Sequence, residues 1–479
     1  MVTIHKAIDK YFKISESGSS IKTEILSGIT AYFTMVYLLF LVPTTLMNAF
    51  PEAFDETGEM IGTYILSNGI SANQMLVSLT VASCIAAAIG TLIMSFKANL
   101  PFVQGPSLAI STFISFTLCS KMGYTYNEAL AAVFIGGIVF LIITIMGMEK
   151  KIQDSIPTNI KFAVTAGIGL FIAFMGMQKA HIVVPNSRNL VTLVDFADLT
   201  SYNTKSALLC LVGIIFISLL LIWHVHGAIL IGKIVCILAA IPMGLVHISN
   251  FNLMDYAITL EPIMFKMDFA GLFTPHNSWG LPGVLLSVGV VISTLCIMDV
   301  FETMGTIIAT DYIITYSHNG SVSEKLPKVL KSDAIATSIG SCLGITNIST
   351  YVESTAMAIE GGRTGFSGVI AAILFALTIF VAPYASVVPS AATATTLIVS
   401  GVLMINVIKY VNFDDIEEAV PAFLTIALMP LTYSLVTGIS IGLISYTFIM
   451  FFSKRRHEIK MGTIILAVIF LIQFILMQK

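Results

Sequence analysis

Charge is scarce in this sequence. Asp, Glu, Lys and Arg together make up 11% of its 479 residues, where soluble domains carry about a quarter, and a water-exposed globular surface is thereby excluded. Cysteine is sparse and unpaired: Cys84, Cys119, Cys210, Cys236, Cys296 and Cys342 stand singly in or beside apolar stretches. That spacing fits neither a disulfide scaffold nor a metal site, so no metal or other cofactor is expected. Histidine is missing from the two segments that hold the most conspicuous acids, Glu302 and Glu353. An intramembrane enzyme would need a paired His or Cys beside the acids or a metal-ligand cluster, and these segments supply no His. Basic residues are absent from the interrupted segments described below, the nearest being Lys97 and Arg363, which counts against a channel or transporter built for anions. No nucleic-acid partner is expected.

What is present is apolar. With 56% hydrophobic residues and a mean hydropathy of +0.93, the chain reads as a multi-pass membrane protein whose partner is the lipid bilayer. Windows of about 20 apolar residues, long enough to span as helices, lie near 25–47, 74–95, 101–118, 128–147, 159–178, 206–223, 227–248, 283–309, 332–344, 348–360, 366–384, 389–408, 419–436 and 438–452. Those fourteen are followed by a further apolar stretch, 462–478, which is either another crossing or a helix lying against the bundle. The first apolar run follows a charged, polar segment and lacks a cleavage site, so it is expected to remain in the mature protein. Alternating the segments gathers Lys6, Lys10, Lys13, Lys22, Lys97, Lys150, Lys151, Lys161, Lys325, Lys328, Lys331, Arg363, Lys409, Lys454, Arg455, Arg456 and Lys460 on one side. The other side holds Lys121, Lys179, Arg188, Lys205 and Lys266. Positive loops stay inside, which predicts a cytoplasmic N-terminus in the plasma membrane. His224, His226 and Lys233 fall at or just beyond a short cytoplasmic turn, where solvation or snorkelling accounts for them.

Ser155-Ile156-Pro157-Thr158 opens a helix after the fourth segment, and Val387-Val388-Pro389-Ser390 opens one after the eleventh. A shift of seven segments is odd, so the second half would be an inverted copy of the first, with substrate bound between them near the midplane. Proline in the first turn of a helix is common anywhere, and this pair alone decides little. The interrupted segments add weight. Asn99-Leu100-Pro101-Phe102-Val103-Gln104-Gly105-Pro106-Ser107 places two prolines and a glycine before a helical run starting near Leu108. Gly344 to Tyr351 is rich in β-branched and hydroxyl residues and poor in helix formers. These are the third and tenth segments, again seven apart, and broken helices are tolerated only where their backbone lines a cavity or is buried in protein.

Ionisable groups at membrane depth are costly and normally face a working cavity. Glu353 sits directly after the tenth-segment break, and Asp299 and Glu302, three residues apart, share a face of the eighth segment. Glu302 and Glu353 are read as substrate-binding residues. Asp299 is read either as a proton-coupling partner of Glu302 or as a structural tie between helices. Glu360 to Gly365 reads as a tight capped turn, since neither a preceding strand nor a following lysine makes it a phosphate loop.

Ala98-Asn99-Leu100-Pro101, the stretch Met298 to Thr306, Thr350 to Gly365 with its Tyr351-Val352-Glu353-Ser354, and Val420-Pro421-Ala422-Phe423-Leu424-Thr425 resemble the nucleobase:cation symporter-2 (xanthine/uracil permease) family, in its hypoxanthine–adenine–guanine permease branch. The likeness runs from Glu24 to about Phe452. It implies an all-α protein of fourteen transmembrane segments in two inverted seven-segment repeats, with segments 3 and 10 interrupted by short extended pieces. A core domain would comprise 25–147 and 283–385, and a gate domain 148–250 and 386–453. Residues 1–24 would form a cytoplasmic segment, 251–282 an extracellular loop, and 454–479 a basic tail with the extra helix. The implied activity is import of a purine nucleobase by proton symport, with sodium as the other coupling ion, through an elevator-type cycle; a homodimer is compatible with it. Uracil, an ascorbate-like compound or an anion remain the alternative substrates.

The resemblance places the base-binding acids on Glu302 and Glu353. The branch usually has Asp at Glu302, an amide at Ser111 and Thr at Asn347, and these departures leave the choice of base open. A carboxylate can accept two adjacent N–H groups of a nucleobase edge, and charge-assisted bonds are about twice as strong as neutral ones. Ser107 and Thr350 flank the broken backbone, whose amides complete the polar lining, and Phe301, Phe113 or Tyr351 can stack on the ring. The uracil members carry a His one turn after the eighth-segment acid where this chain has Thr306.

Overall fold

The computed structural model describes residues 2–54, 60–66, 69–147, 155–186, 190–223, 225, 228–245, 258–274, 280–317, 325–351, 354, 357–358, 360–387 and 389–477. Among these residues nine helices are long and apolar enough to cross a membrane, from Ile21–Ala49 to Leu435–Phe452. The other expected segments are shorter, broken or more polar: Leu108–Cys119 and Ala228–Ala240 are apolar but short, and Leu326–Leu343 carries Lys328, Lys331 and Asp333. The C-terminal stretch forms a helix, Met461–Met477.

Local chemistry sets the helix ends. Ser71 accepts the amide of Gln74 at 3.3 Å to open Ala72–Lys97, and Thr125 with Glu128 forms a reciprocal cap on Tyr126–Ile145. The first crossing is not continuous: helix Ile21–Met35 gives way at Val36 and Tyr37 to helix Leu38–Leu46, which contains Pro43. Helix Leu326–Leu343 stops at Gly344, whose φ of +88° is the left-handed conformation that glycine adopts without penalty.

Beyond that stop the chain extends, and the two interrupted segments meet. Strand Gln104–Pro106 pairs antiparallel with strand Ile348–Thr350, with Gln104 opposite Thr350 and Pro106 opposite Ile348. The pairing continues at both ends: the Ser107 amide donates to the Asn347 carbonyl at 3.0 Å and the Tyr351 amide to the Val103 carbonyl at 3.3 Å. Polar backbone in an apolar interior needs such partners. Helix Ala72–Lys97 clamps the first strand, since Thr91 Oγ1 accepts the Gln104 amide at 3.0 Å and lies 3.1 Å from its carbonyl. The helix comes this close because residue 90 is glycine; a Cβ there would stand 2.8 Å from Ile348 Cγ2 and 3.1 Å from Gln104 Oε1.

At one end of the bundle the N-terminal segment is tied in. Glu24, fully buried, accepts the Arg363 amide at 2.8 Å and the Ser367 hydroxyl. Asn99 donates to the Phe12 carbonyl at 2.9 Å and accepts the Gly365 amide at 2.8 Å. Strands Val183–Asn186 and Leu190–Leu193 pair antiparallel.

Candidate functional site

Beside the paired strands lies a partly open cavity, with Thr350 of the second strand in its wall. Glu302, Thr306, Thr350 and Tyr351 line it, and Tyr37, Thr165 and Ser400 contribute further polar atoms, among apolar residues such as Leu108, Ile168 and Met404. Among the described residues the lining is thus largely apolar with one carboxylate, the usual build of a small-molecule site.

Glu302 projects from helix Gly280–Ser317 and is half-buried. Its Oε2 accepts the Ser107 hydroxyl at 2.5 Å. Ser107 also accepts the Ile110 amide at 3.1 Å, capping the helix that starts at Leu108, so the carboxylate lies at the amino end of that helix, where negative charge is favoured. Thr306, one turn on, donates to the Thr350 carbonyl at 2.8 Å. Tyr351 donates its hydroxyl to the Pro106 carbonyl across the strand pair. The hydroxyls beside Glu302 are therefore held by their neighbours, and the carboxylate is the strongest acceptor on this wall.

Behind the wall lie two further carboxylates. Asp299 is buried and accepts Asn347 Nδ2 at 3.0 Å and the Thr337 hydroxyl at 3.2 Å. Asp333 is fully buried; it accepts the Thr350 hydroxyl at 2.8 Å and also the Thr303 hydroxyl and the Gln104 amide group. Asp333 thereby joins three elements, linking both strands to the helix that carries Glu302.

Of the residues expected from sequence, Glu302, Thr350 and Tyr351 line the cavity, and Ser107 is tied to it through its bond to Glu302. Ser111 and Asn347 lie beside it in the buried layer: Ser111 pairs with the Thr346 hydroxyl at 2.9 Å, and Asn347 with Asp299. Phe113 is buried on the helix that follows Ser107. Glu353 and the Phe301 side chain lie outside the described residues. Lys233 corrects an expectation. It is 3% exposed and neither snorkels nor pairs with a hydrogen-bond acceptor among the described residues. Asp333 and Tyr37 were missed: Asp333 sits beside Lys331 at a segment edge and reads as interfacial, yet the rule that flags acids within apolar runs applies to it equally. A tyrosine in an apolar crossing gives no signal.

Many apolar crossings, a pair of interrupted segments bonded strand to strand and an acid-bearing cavity beside them define a helical membrane transporter. Two solved structures share this architecture. The transmembrane domain of a cyanobacterial bicarbonate transporter, BicA, matches with a TM-score of 0.55 at 15% identity, over 88% of this chain and 97% of that one. The murine solute carrier 26 member A9 anion transporter in its inward-facing state matches with a TM-score of 0.53 at 12% identity, over 89% and 68%. At such identity the likeness concerns the fold alone.

The model of the xanthine/uracil permeases, described as a permease family, matches residues 22–441, and the chain belongs to that family. Similar proteins include a putative permease of Methanocaldococcus jannaschii, 34% identical over 98% of this chain and 99% of the relative. The guanine/hypoxanthine permease PbuO of Bacillus subtilis is 33% identical over 97% and 100%, and the adenine permease AdeP of Escherichia coli 30% identical over 98% and 96%. The chain is a multi-pass membrane permease and not an enzyme.

Proposed function

We propose that this permease is a secondary active transporter that imports purine nucleobases. The observation that carries the reading is the placement of Glu302: a carboxylate held by Ser107 and facing a cavity whose remaining lining is mainly apolar. A flat, mostly uncharged base suits that lining, with its N–H edge on the carboxylate and its faces against apolar side chains. The relatives named for adenine and for guanine and hypoxanthine support the same class. An anion is the poorer fit, because the one charged group among the described lining residues is negative and desolvating two like charges together is costly.

In this reading Glu302 and Glu353 bind the base from neighbouring segments, Ser107, Thr350 and Tyr351 shape the slot, and Ser111 and Asn347 act from the layer behind it. Phe301 stacks on the ring. Fourteen segments form two inverted repeats, with a core domain of 25–147 and 283–385 moving against a gate domain of 148–250 and 386–453 in an elevator-type cycle. The N-terminus is cytoplasmic. Coupling is to protons through Glu302 with Asp299.

Proteoliposomes carrying the purified protein, given radiolabelled guanine, hypoxanthine, adenine, xanthine, uracil and ascorbate, test this. Saturable purine uptake that rises with an inward proton gradient and collapses with a protonophore is expected. Uptake of none of the purines would refute the substrate class, and uptake that follows sodium and ignores the proton gradient would refute the coupling.

A further inference from the structure

Helix Thr158–Lys179 brings one stripe of side chains to the cavity. Thr165, Ile168 and Ile172 line it, and residues three and four apart in a helix share a face. Bare backbone fixes the rest of this helix against its neighbours. A Cβ at Gly169 would stand 2.7 Å from the Gly401 carbonyl oxygen on helix Ser390–Ile405, and one at Gly167 would stand 2.6 Å from Met429 Sδ on helix Ile416–Leu431. A helix packed this closely on two others cannot turn its stripe away without shifting both, so the fold sets the position of Thr165.

Thr165 is the polar member of the stripe, and its bonding differs from that of the other hydroxyls on the cavity. Thr350 donates to Asp333, Thr306 to the Thr350 carbonyl and Tyr351 to the Pro106 carbonyl, while the Tyr37 and Ser400 hydroxyls lie 2.7 Å apart. Each of those bonds ties separate elements together. Thr165 instead donates to the Lys161 carbonyl of its own helix at 3.2 Å, and no second hydrogen bond reaches its oxygen among the described residues. A hydroxyl has one hydrogen and two acceptor lone pairs. With its hydrogen on Lys161, Thr165 offers the cavity an acceptor, half-buried beside isoleucine side chains. Water satisfies that oxygen while the cavity is empty, and a flat ligand that displaces the water has to supply an N–H in its place.

A purine base carries N–H groups on both of its rings. A carboxylate that holds the six-membered ring by its N–H edge leaves the imidazole N–H in need of its own acceptor. We propose that Thr165 is a specificity-determining residue of this site, its hydroxyl oxygen accepting the imidazole N–H of a purine whose six-membered ring faces Glu302. The proposal rests on the purine reading of the cavity and makes recognition two-ended. A pyrimidine, which lacks the second ring, leaves the Thr165 oxygen unmet, and so does a purine blocked at an imidazole nitrogen.

Equilibrium competition against radiolabelled hypoxanthine on the purified protein, by hypoxanthine and by its 7-methyl and 9-methyl derivatives, tests the assignment. Thr165→Val keeps the branched shape and removes the oxygen. Its affinity for hypoxanthine should fall roughly three- to tenfold, the equivalent of one neutral hydrogen bond, while its affinities for the methyl derivatives, which have no imidazole N–H, should match those of wild type. Any clash of the added methyl group is common to wild type and variant and cancels in the comparison. Thr165→Ser retains the oxygen and should bind hypoxanthine as wild type does. Thr165→Ala should behave as the valine variant, and stands in for it should valine not fold. An equal loss for all three ligands would make Thr165 a structural residue and overturn the assignment, as would wild-type hypoxanthine affinity in a folded valine variant. If the methyl derivatives compete too weakly to measure, the serine variant decides, and a loss in serine equal to that in valine would overturn the assignment. Wild-type protein that binds no purine would sink the purine reading itself, and this assignment with it.

Discussion

Replacing Asp333 by alanine probes what holds the two strands to the helix bearing Glu302. The carboxylate accepts from Gln104, Thr303 and Thr350, and all three donors are fully buried. Stranding a buried donor costs about 1–3 kcal/mol, so Asp333→Ala should cost roughly 3–9 kcal/mol if nothing relaxes. The Thr303 and Thr350 hydroxyls can rotate to other acceptors, which favours the lower end. Because native domains hold only about 5–15 kcal/mol in total, the alanine variant should be folded poorly or not at all. Asp333→Asn keeps the volume and one acceptor oxygen, and the two hydroxyls can turn to accept from the new amide. A loss of about 1–3 kcal/mol is expected for it. Thermal unfolding of the detergent-purified variants ranks the effects, and nucleobase affinity should fall with the same order because Thr350 also lines the cavity. An alanine variant within about 0.5 kcal/mol of wild type, a scale typical of surface changes, would refute the reasoning, as would an asparagine variant that is equally damaged.

Three further outcomes follow from the same geometry. Glu24→Ala strands the Arg363 amide and the Ser367 hydroxyl and should lower stability by about 1–3 kcal/mol per group, read as a drop in unfolding temperature, with base selectivity unchanged. Gly90→Val drives a side chain into Ile348 and Gln104; overpacking of this kind costs about 1–3 kcal/mol, and equilibrium binding should weaken along with stability because the strand pair must shift. Restoring the residues usual in the purine branch, Glu302→Asp, Ser111→Asn and Asn347→Thr together, should reorder the purines in competition assays without abolishing uptake, since one altered polar contact of about 1–3 kcal/mol is enough to reverse neighbours in the ranking.

The lipid setting was legible because composition alone reports it, and the interrupted segments were legible because Pro101, Pro106 and the β-branched run Ile348-Ser349-Thr350 are poor helix formers. That these segments bond to each other was not legible. Gln104 and Thr350 are far apart in sequence, and local propensity says where a strand can form but not what it pairs with. Glu302 could be singled out from its cost at membrane depth, whereas Asp333 was passed over because Lys331 two residues earlier made it look like part of a segment end. Ser111 and Asn347 lie in the buried layer beside the cavity, and what they bond to, Thr346 and Asp299, depends on the packing of separate elements. Helix length was not legible from apolar length: 227–248 reads as a full span, and among the described residues its helix covers Ala228–Ala240. Lys233 shows the same limit, since snorkelling depends on which face of the helix meets its neighbours.

The central claim, that this cavity binds a purine through the carboxylate of Glu302, is tested most directly by equilibrium binding of radiolabelled hypoxanthine to purified wild-type protein and to Glu302→Gln. The glutamine keeps the size of the side chain and removes the charge, so a charge-assisted bond of about 1.5–3 kcal/mol is lost and affinity should fall roughly ten- to a hundredfold, with the unfolding temperature preserved. Wild-type affinity in a folded Glu302→Gln protein would contradict the account.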